Sequence, residues 1–373
     1  MKARKTLCII SVILCLCIAL SACGTPAKPA GGNDAPKAEG PLDLNSLTLE
    51  QIIEGAKKEG KLETVGMPGS WANWQGIFDG IKAEYGIECN DTDMSSAEEL
   101  NMFETEKNSP TKDLGDVGHA FGPKAVQMDV VQSYKTSYWD KVPDWAKDPE
   151  GRWMMAYTGV ISFITNTDLV KNAPKSWADV KAGDYKLTIG DVVTGATGQG
   201  VVLATAYAFG GGIDNLDPAF EFWAEMAKAG RIDPGDILLQ RIQAGEVQVG
   251  VSWSFNVFSY RDQTPNYKFD VCVPTDGAIL SGYASVINKY APHPHAAALA
   301  REYIFSDKGQ TVLAGAGGIP TRTDFKAPAD VQAKTFAPEM YANAVPITDP
   351  AAYDAIRETI AQRWQEEIIP LMG

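Results

Sequence analysis

From residue 46 onward one pattern recurs: an amphipathic stretch with an apolar residue every three or four positions, then a short run rich in apolar and β-branched residues. "SLTLEQIIEGAKKEG" places Leu49, Ile52, Ile53 and Ala56 on one helical face and leads into "KLETVGM", which has the pattern of a strand. "WQGIFDGIKAEYG" repeats the helix with Trp74, Ile77, Phe78, Ile81 and Tyr85, and stops at Gly86. Further along, "DLGDVGHAFGP", "GVISFITN", "YKLTIGDVV", "GEVQVGVSW" and "YASVIN" read as strands. "LDPAFEFWAEMAKAG" reads as a helix with Pro218 near its start and Gly230 as its stop, "PHAAALAREYIFSD" as another, and the chain ends in a long helix rich in Glu and Arg. A helix between two strands returns the chain to run the same way, so this alternation dictates an α/β fold of mostly parallel sheets flanked by helices. Roughly 330 residues of such sequence exceed one usual domain, which predicts two lobes.

The N-terminus is of another kind. Lys2, Arg4 and Lys5 precede the 14-residue apolar run Leu7–Leu20, which is shorter than the roughly 18–20 residues of a spanning helix. Residues 1–22 therefore read as a signal peptide. Leu20-Ser21-Ala22-Cys23 resembles the bacterial lipobox, in which the cysteine thiol receives a diacylglyceryl group. Residues 23–41, rich in Pro, Gly and Ala without hydrophobic period, read as a lipid-anchored linker. The expectation is an extracytoplasmic body, at the cell surface or in the periplasm, that touches the membrane through its lipid anchor only. Of six cysteines, Cys8, Cys15 and Cys17 leave with the leader and Cys23 is acylated, so Cys89 and Cys272 remain as free thiols. The chain carries 33 Lys+Arg against 47 Asp+Glu, a formal charge of −14. That balance disfavours nucleic acid and anionic membrane surfaces as partners.

The series "AKKEGKLETVG", "DLGDVGHAFGPKAV", "YTGVISFITNTDLV", "SWADV", "GDYKLTIGDV", "SGYASVINKYAPHPHAAALAREYIFSDKGQ" and "GIPTR" resembles the extracellular solute-binding proteins of ABC importers. It is similar to the type II periplasmic-binding-protein group that takes ferric iron, polyamines, thiamine or phosphonates. The resemblance implies a monomer with two α/β lobes joined by two hinge crossings, near Gly159 and Tyr283. Lobe one would comprise residues 42–158 and 282–325, lobe two residues 159–281, and residues 326–373 a helical tail assigned to neither lobe. A small-molecule solute would sit in the cleft, and hinge closure would deliver it to an ABC transporter permease.

Ligands of open α/β sheets lie beyond the carboxyl ends of the strands. That places Ser70, Trp71 and Asn73 after the first strand, with Trp74 on the apolar face of the next helix as a core anchor. His119 and Phe121 follow the third strand, although a lone histidine there more often closes structural hydrogen bonds than binds a ligand. Thr158 and Gly159 sit at the first crossing, Trp253 and Asn256 after a lobe-two strand, and Asp276 and Tyr283 at the return crossing. His293 and His295, in "PHPH", read as a surface turn without the spacing of a metal site.

The stretch "GDVVTGATGQGVV", residues 190–202, has the outline of a nucleotide loop but lacks the Lys-Ser/Thr of a Walker loop. A GxGxxG fingerprint fails at Leu203. Thr194, Gly195, Thr197, Gly198 and Gln199 instead offer a strand-to-helix turn of backbone and side-chain donors, suited to an anionic group on a helix N-terminus, or simply a tight turn for packing. The expected solute is small, polar and anionic: a phosphonate, organophosphate or carboxylate. The chain has no adjacent tyrosine pair of the kind ferric-binding members use. A polyamine remains the alternative, with Trp71 and Trp253 as aromatic walls and Asp276 as the one carboxylate. No GxSxG, HExxH or CxxC motif is present and three histidines leave little general-base chemistry, so no enzyme, cofactor or metal is expected. A two-carboxylate cell-surface glycoside hydrolase is the remote option. Cys23→Ala is expected to leave the protein unacylated and absent from the membrane fraction. Integral-membrane behaviour of a chain beginning at Gly24 would contradict the anchor.

Overall fold

Thr48 and Gln51 cap each other reciprocally, and this box starts helix α1 (Leu49–Glu59), which Gly60 ends in the left-handed conformation. Strand β1 (Lys61–Val65), helix α2 (Trp74–Tyr85) and strand β2 (Glu88–Thr92) follow. A second capping box, Ser95 with Glu98, starts α3 (Ser96–Thr105) ahead of β3 (Leu114–Gly118), α4 (Phe121–Gln127) and the short β4 (Val131–Gln132). The structure, a computed structural model, describes residues 42–373. The leader, Cys23 and the linker lie outside the described residues.

The long strand β5 (Trp153–Asn166) is buried along its whole length. After it come α5 (Trp177–Ala182), β6 (Leu187–Thr188), α6 (Ala196–Ala208), α7 (Asp217–Lys228), β7 (Ile232–Asp233), α8 (Leu239–Gln243) and β8 (Val249–Trp253). Helix α9 (Ser254–Asp262) and strands β9 (Phe269–Cys272) and β10 (Ile279–Asn288) complete lobe two and lead back. Helices α10 (Pro294–Phe305), α11 (Asp307–Gly315), α12 (Ala329–Gln332) and α13 (Pro350–Arg363) close the chain.

Strands β2, β1 and β3 run parallel, with Val65 opposite Thr92 and Thr64 opposite Leu114. β3 and β8 are buried at every position, as strands covered by helices on both faces must be, whereas the edge strand β2 keeps exposed positions. β10 joins β3 and β5 antiparallel, and β6 lies parallel to both β7 and β8. β5 pairs with β10 as far as Val160 and with β8 from Ile161 onward, so one strand serves both sheets. This is the two-lobed α/β architecture, with parallel strands in each lobe and antiparallel crossing strands between them.

One expectation needs adjustment. The strand expected over "YKLTIGDVV" is only Leu187–Thr188, because Gly190 takes φ +74 and the chain turns at Asp191. The tail belongs to neither lobe alone. Its Val345–Pro346 segment pairs with the start of β10, α13 packs on α4 of lobe one and α6 of lobe two, and Trp364 just beyond meets Trp223 of α7.

Arg301 on α10 is fully buried. It donates to the carbonyls of Tyr134, Gly151 and Ser285 at 3.2, 2.9 and 2.8 Å, tying the 134–151 segment to β10. Burial lowers its pKa to about 9. Arg301→Ala removes a donor shared by three carbonyls, of which that of Gly151 keeps the Tyr134 N–H, and urea denaturation is expected to show a loss of at least about 3 kcal/mol. A loss below about 1 kcal/mol would contradict this role.

Candidate functional site

The loop after β1 is held in an uncommon shape. Ala72 and Asn73 both adopt positive φ, +47 and +60, which costs a non-glycine residue roughly 1–3 kcal/mol and recurs at ligand clamps. Asn73 caps α2 through Gly76 N–H, so its amide serves the helix. Ser70 uses its carbonyl, which accepts from the Ser259 hydroxyl of α9 at 2.8 Å and joins the lobes. Trp71 is thereby laid against Tyr283 at 5.4 Å and Phe255 at 5.8 Å between ring centroids. Its indole N–H is buried without a partner.

Lobe two supplies the opposite wall. Trp253 ends β8 and stacks on Phe255, and its Nε1 donates to Thr197 Oγ1 at 3.1 Å. The same Thr197 oxygen lies 3.1 Å from the Tyr283 hydroxyl. Thr197 is in the first turn of α6, so lobe two and the return crossing meet at one helix N-terminus, with lobe one's Trp71 against the Tyr283 ring. The approach is close: a Cβ at Gly118, at the end of β3, would lie 2.8 Å from Ala196 Cβ of α6.

The turn before α6 is filled by its own acid. Asp191 accepts from the N–H groups of Val193 and Thr194 at 2.7 and 3.2 Å and from the Thr194 hydroxyl. Side chains at Gly195 and Gly198 would lie 2.5 and 2.4 Å from the Asp191 carbonyl oxygen. These glycines answer a packing demand, which corrects the expectation that the turn itself is a donor cradle. Free helix-end donors begin at Ala196, since the first i→i−4 bond is Gln199 N–H to Gly195 O.

The remaining candidates divide. Asp276 accepts from Trp177 and Ala178 N–H at 2.8 and 3.0 Å, so the carboxylate expected in the cleft caps α5. Thr158 bonds the Ile319 carbonyl, and Gly159 is small because Phe255 lies 2.5 Å from where a Cβ would be. Asn256 is fully buried and donates to Ser252 Oγ, while its own oxygen is unpartnered. His119 is 1% exposed between Trp145 and Trp153, and neither ring nitrogen has a partner. Phe121 opens α4 beneath the Arg357 guanidinium, and Gln199 is buried with its oxygen accepting from Arg357. His293 and His295 pair with Asp113 and Glu59 at the start of α10.

The sequence profile described as bacterial extracellular solute-binding protein matches residues 109–340. The chain belongs to that family of ABC-importer binding proteins. A periplasmic protein of Salmonella typhi named for 2-aminoethylphosphonate binding is 22% identical over 264 residues, 68% of this chain and 75% of its own. Among solved structures, the fructose-6-phosphate-bound periplasmic binding protein AfuA of Actinobacillus pleuropneumoniae aligns with TM-score 0.65 at 18% identity, covering 82% of this chain and 98% of its own. The apo ferric ion-binding protein A of Pasteurella haemolytica aligns with TM-score 0.61 at 14% identity, over 84% and 99%. No helix among the described residues is long and apolar enough to cross a membrane.

In this binding protein the sequence left several groups at the lobe junction unread. Phe255 stands two places after Trp253 in the quoted "SWSFN" and forms the centre of the aromatic cluster, with Tyr157 at 4.9 Å. Tyr157 donates to the buried Asp116 at 2.7 Å. Burial, opposed by the Tyr157 hydrogen bond, pushes Asp116 up to about 8, and burial followed by Asp116 raises the neighbouring Glu99. Burial holds His119 down to about 4. An acid whose folded pKa is raised adds stability below its unfolded pKa and loses it as pH climbs through the folded value, here from 3.8 to about 8. His119 acts oppositely: as pH falls from 6.5 to about 4 the unfolded chain takes the proton first and stability drops. Asp116→Asn, which keeps an acceptor for Tyr157, is expected to flatten the fall in melting temperature between pH 4 and 8 and to melt several degrees above wild type at pH 8. An unchanged slope would show that Asp116 is ionised throughout.

Proposed function

We propose that this binding protein captures a small solute bearing both an amine and an anionic head, a phosphonate, phosphate or carboxylate, and hands it to its ABC permease. The observation that carries the reading is the junction at Thr197, where the Tyr283 hydroxyl and the Trp253 indole bond the Thr197 side chain in the first turn of α6, the turn whose leading N–H groups have no partner within the helix. A helix N-terminus carries about half a positive charge and favours an anion. Acids of the two lobes also repel one another weakly, Asp93 with Asp236 and Glu98 with Asp191, the acid of the turn before α6. Like charges facing across a cleft resist closure, and an ammonium group between them relieves that repulsion. The aromatic wall of Trp71, Phe255 and Tyr283 suits the aliphatic and ammonium end. The Salmonella relative named for 2-aminoethylphosphonate is in keeping with a solute of this class.

The test is a thermal-shift series with 2-aminoethylphosphonate, inorganic phosphate, 4-aminobutyrate and putrescine, followed by small-angle scattering on any that stabilises. A ligand at 100 times its Kd is expected to add about 2.7 kcal/mol and to raise the melting point together with a compaction. A response to putrescine alone would replace the anionic head with a second amine and favour a polyamine. No response to any of the four would refute the reading.

A further inference from the structure

The C-terminal helix carries one side chain that touches both lobes. Along α13, Tyr353, Ile356, Arg357 and Ile360 recur at helical spacing, with Tyr353, Arg357 and Ile360 buried and Ile356 packed against the core. Such a face is ordinarily apolar, because a buried charge is costly unless paired. Arg357 is nevertheless only 6% exposed. Its guanidinium stacks 3.6 Å from the centre of the Phe121 ring in lobe one, and its Nε donates to Gln199 Oε1 of α6, in lobe two, at 2.6 Å. Its ion-pair partner is Asp354, a part-exposed neighbour on the same helix at 2.7 Å.

One turn earlier, the Tyr353 hydroxyl has no hydrogen-bond partner although the residue is 3% exposed. Helix α13 packs on α6, and Arg357 bonds Gln199 two residues after Thr197, the residue that Tyr283 meets. Arg357, with Nε on Gln199 and Nη1 on Asp354, the unpartnered Tyr353 hydroxyl one turn before it and Thr197 in the first turn of α6 thus lie along the one contact between α13 and α6. Asp191 already occupies the turn before that helix, so the helix end alone is a weak anion site and a cation must come from elsewhere. A guanidinium matches the paired oxygens of a phosphonate or phosphate, and the third oxygen of such a head finds its donors in Tyr353 and Thr197.

Granting the anionic solute proposed above, the geometry points to Arg357 as the residue that receives its tetrahedral oxyanion head, with Tyr353 donating beside it. The tail is then the third wall of the binding site. Arg357 contacts Phe121 of lobe one and Gln199 of lobe two at once, so an anion it holds favours the arrangement in which the lobes meet.

Titration calorimetry of the purified mature protein with 2-aminoethylphosphonate tests this. Arg357→Gln is expected to weaken binding at least about tenfold, and Arg357→Lys by less, since the charge stays but the fork is lost. Tyr353→Phe is expected to weaken it about threefold or more without lowering the melting point, because the hydroxyl it removes has no partner in the folded protein. Arg363→Gln, further along the same helix and bonded to Glu367 and Asp217, is expected to bind as wild type. Wild-type affinity in Arg357→Gln overturns the assignment. If that variant does not fold, wild-type affinity in both Arg357→Lys and Tyr353→Phe does so. Wild-type protein that binds 4-aminobutyrate as tightly as 2-aminoethylphosphonate overturns the tetrahedral head while leaving the solute class standing, and no binding of any anionic probe removes both readings.

Discussion

Strands β5 and β10 pair antiparallel from Trp153 opposite Val286 to Val160 opposite Leu280, and just past that pairing β5 passes to the other sheet. Both lobes are built out from this pair, so its geometry sets how they can face each other. The register shifts between Tyr283 and Ala284, a bulge at the point where Tyr283 reaches the junction. The extra residue is Ala156 of β5, so it is β5 that bends there, opposite the β10 residue that meets Thr197 of a helix in the other lobe. Close packing here leaves no room for side chains at two positions: a Cβ at Gly282 would lie 2.3 Å from the Tyr157 carbonyl oxygen, and one at Gly159 would enter the Phe255 ring.

The tail adds a second tie across the same junction. α13 rests on a helix from each lobe, and Val345–Pro346 adds to the edge of β10 at the crossing itself. Relative movement of the lobes must therefore slide one of these contacts or carry the tail along with one lobe. A guanidinium stacked on a ring and bonded through one nitrogen suits that task, since a flat stacked contact tolerates sliding better than interlocked apolar side chains.

Charge is distributed unevenly around the junction. Asp93 and Asp236 repel one another, as do Glu98 and Asp191, Arg357 is bonded to Gln199 of α6, and Asp116 and Glu99 are buried, which favours the neutral acid. In a chain of formal charge −14 a buried arginine between two lobes is the exception that gives the cleft polarity.

The alternation of helices and strands and the stop at Gly86 were legible because each depends on neighbours within one helical turn. Trp71, Trp253 and Tyr283, which meet at the lobe junction, could be marked as candidates by the rule that loops after strands face the cleft. Asp276, Asn73 and the glycines of residues 195–198 could not be judged that way, since a carboxylate or a glycine looks the same whether it serves a ligand, a helix cap or a close backbone approach. Arg357 had one local sign, an arginine on the apolar stripe of Tyr353, Ile356 and Ile360, but nothing near it in sequence names Phe121 or Gln199 as its partners. Periodicity alone determined the α/β class and which faces turn inward, because those follow from local backbone geometry. Which side chains meet across more than a hundred residues was decided by the packing of the two lobes and the tail, because contact energies between distant groups exist only once the chain has closed upon itself.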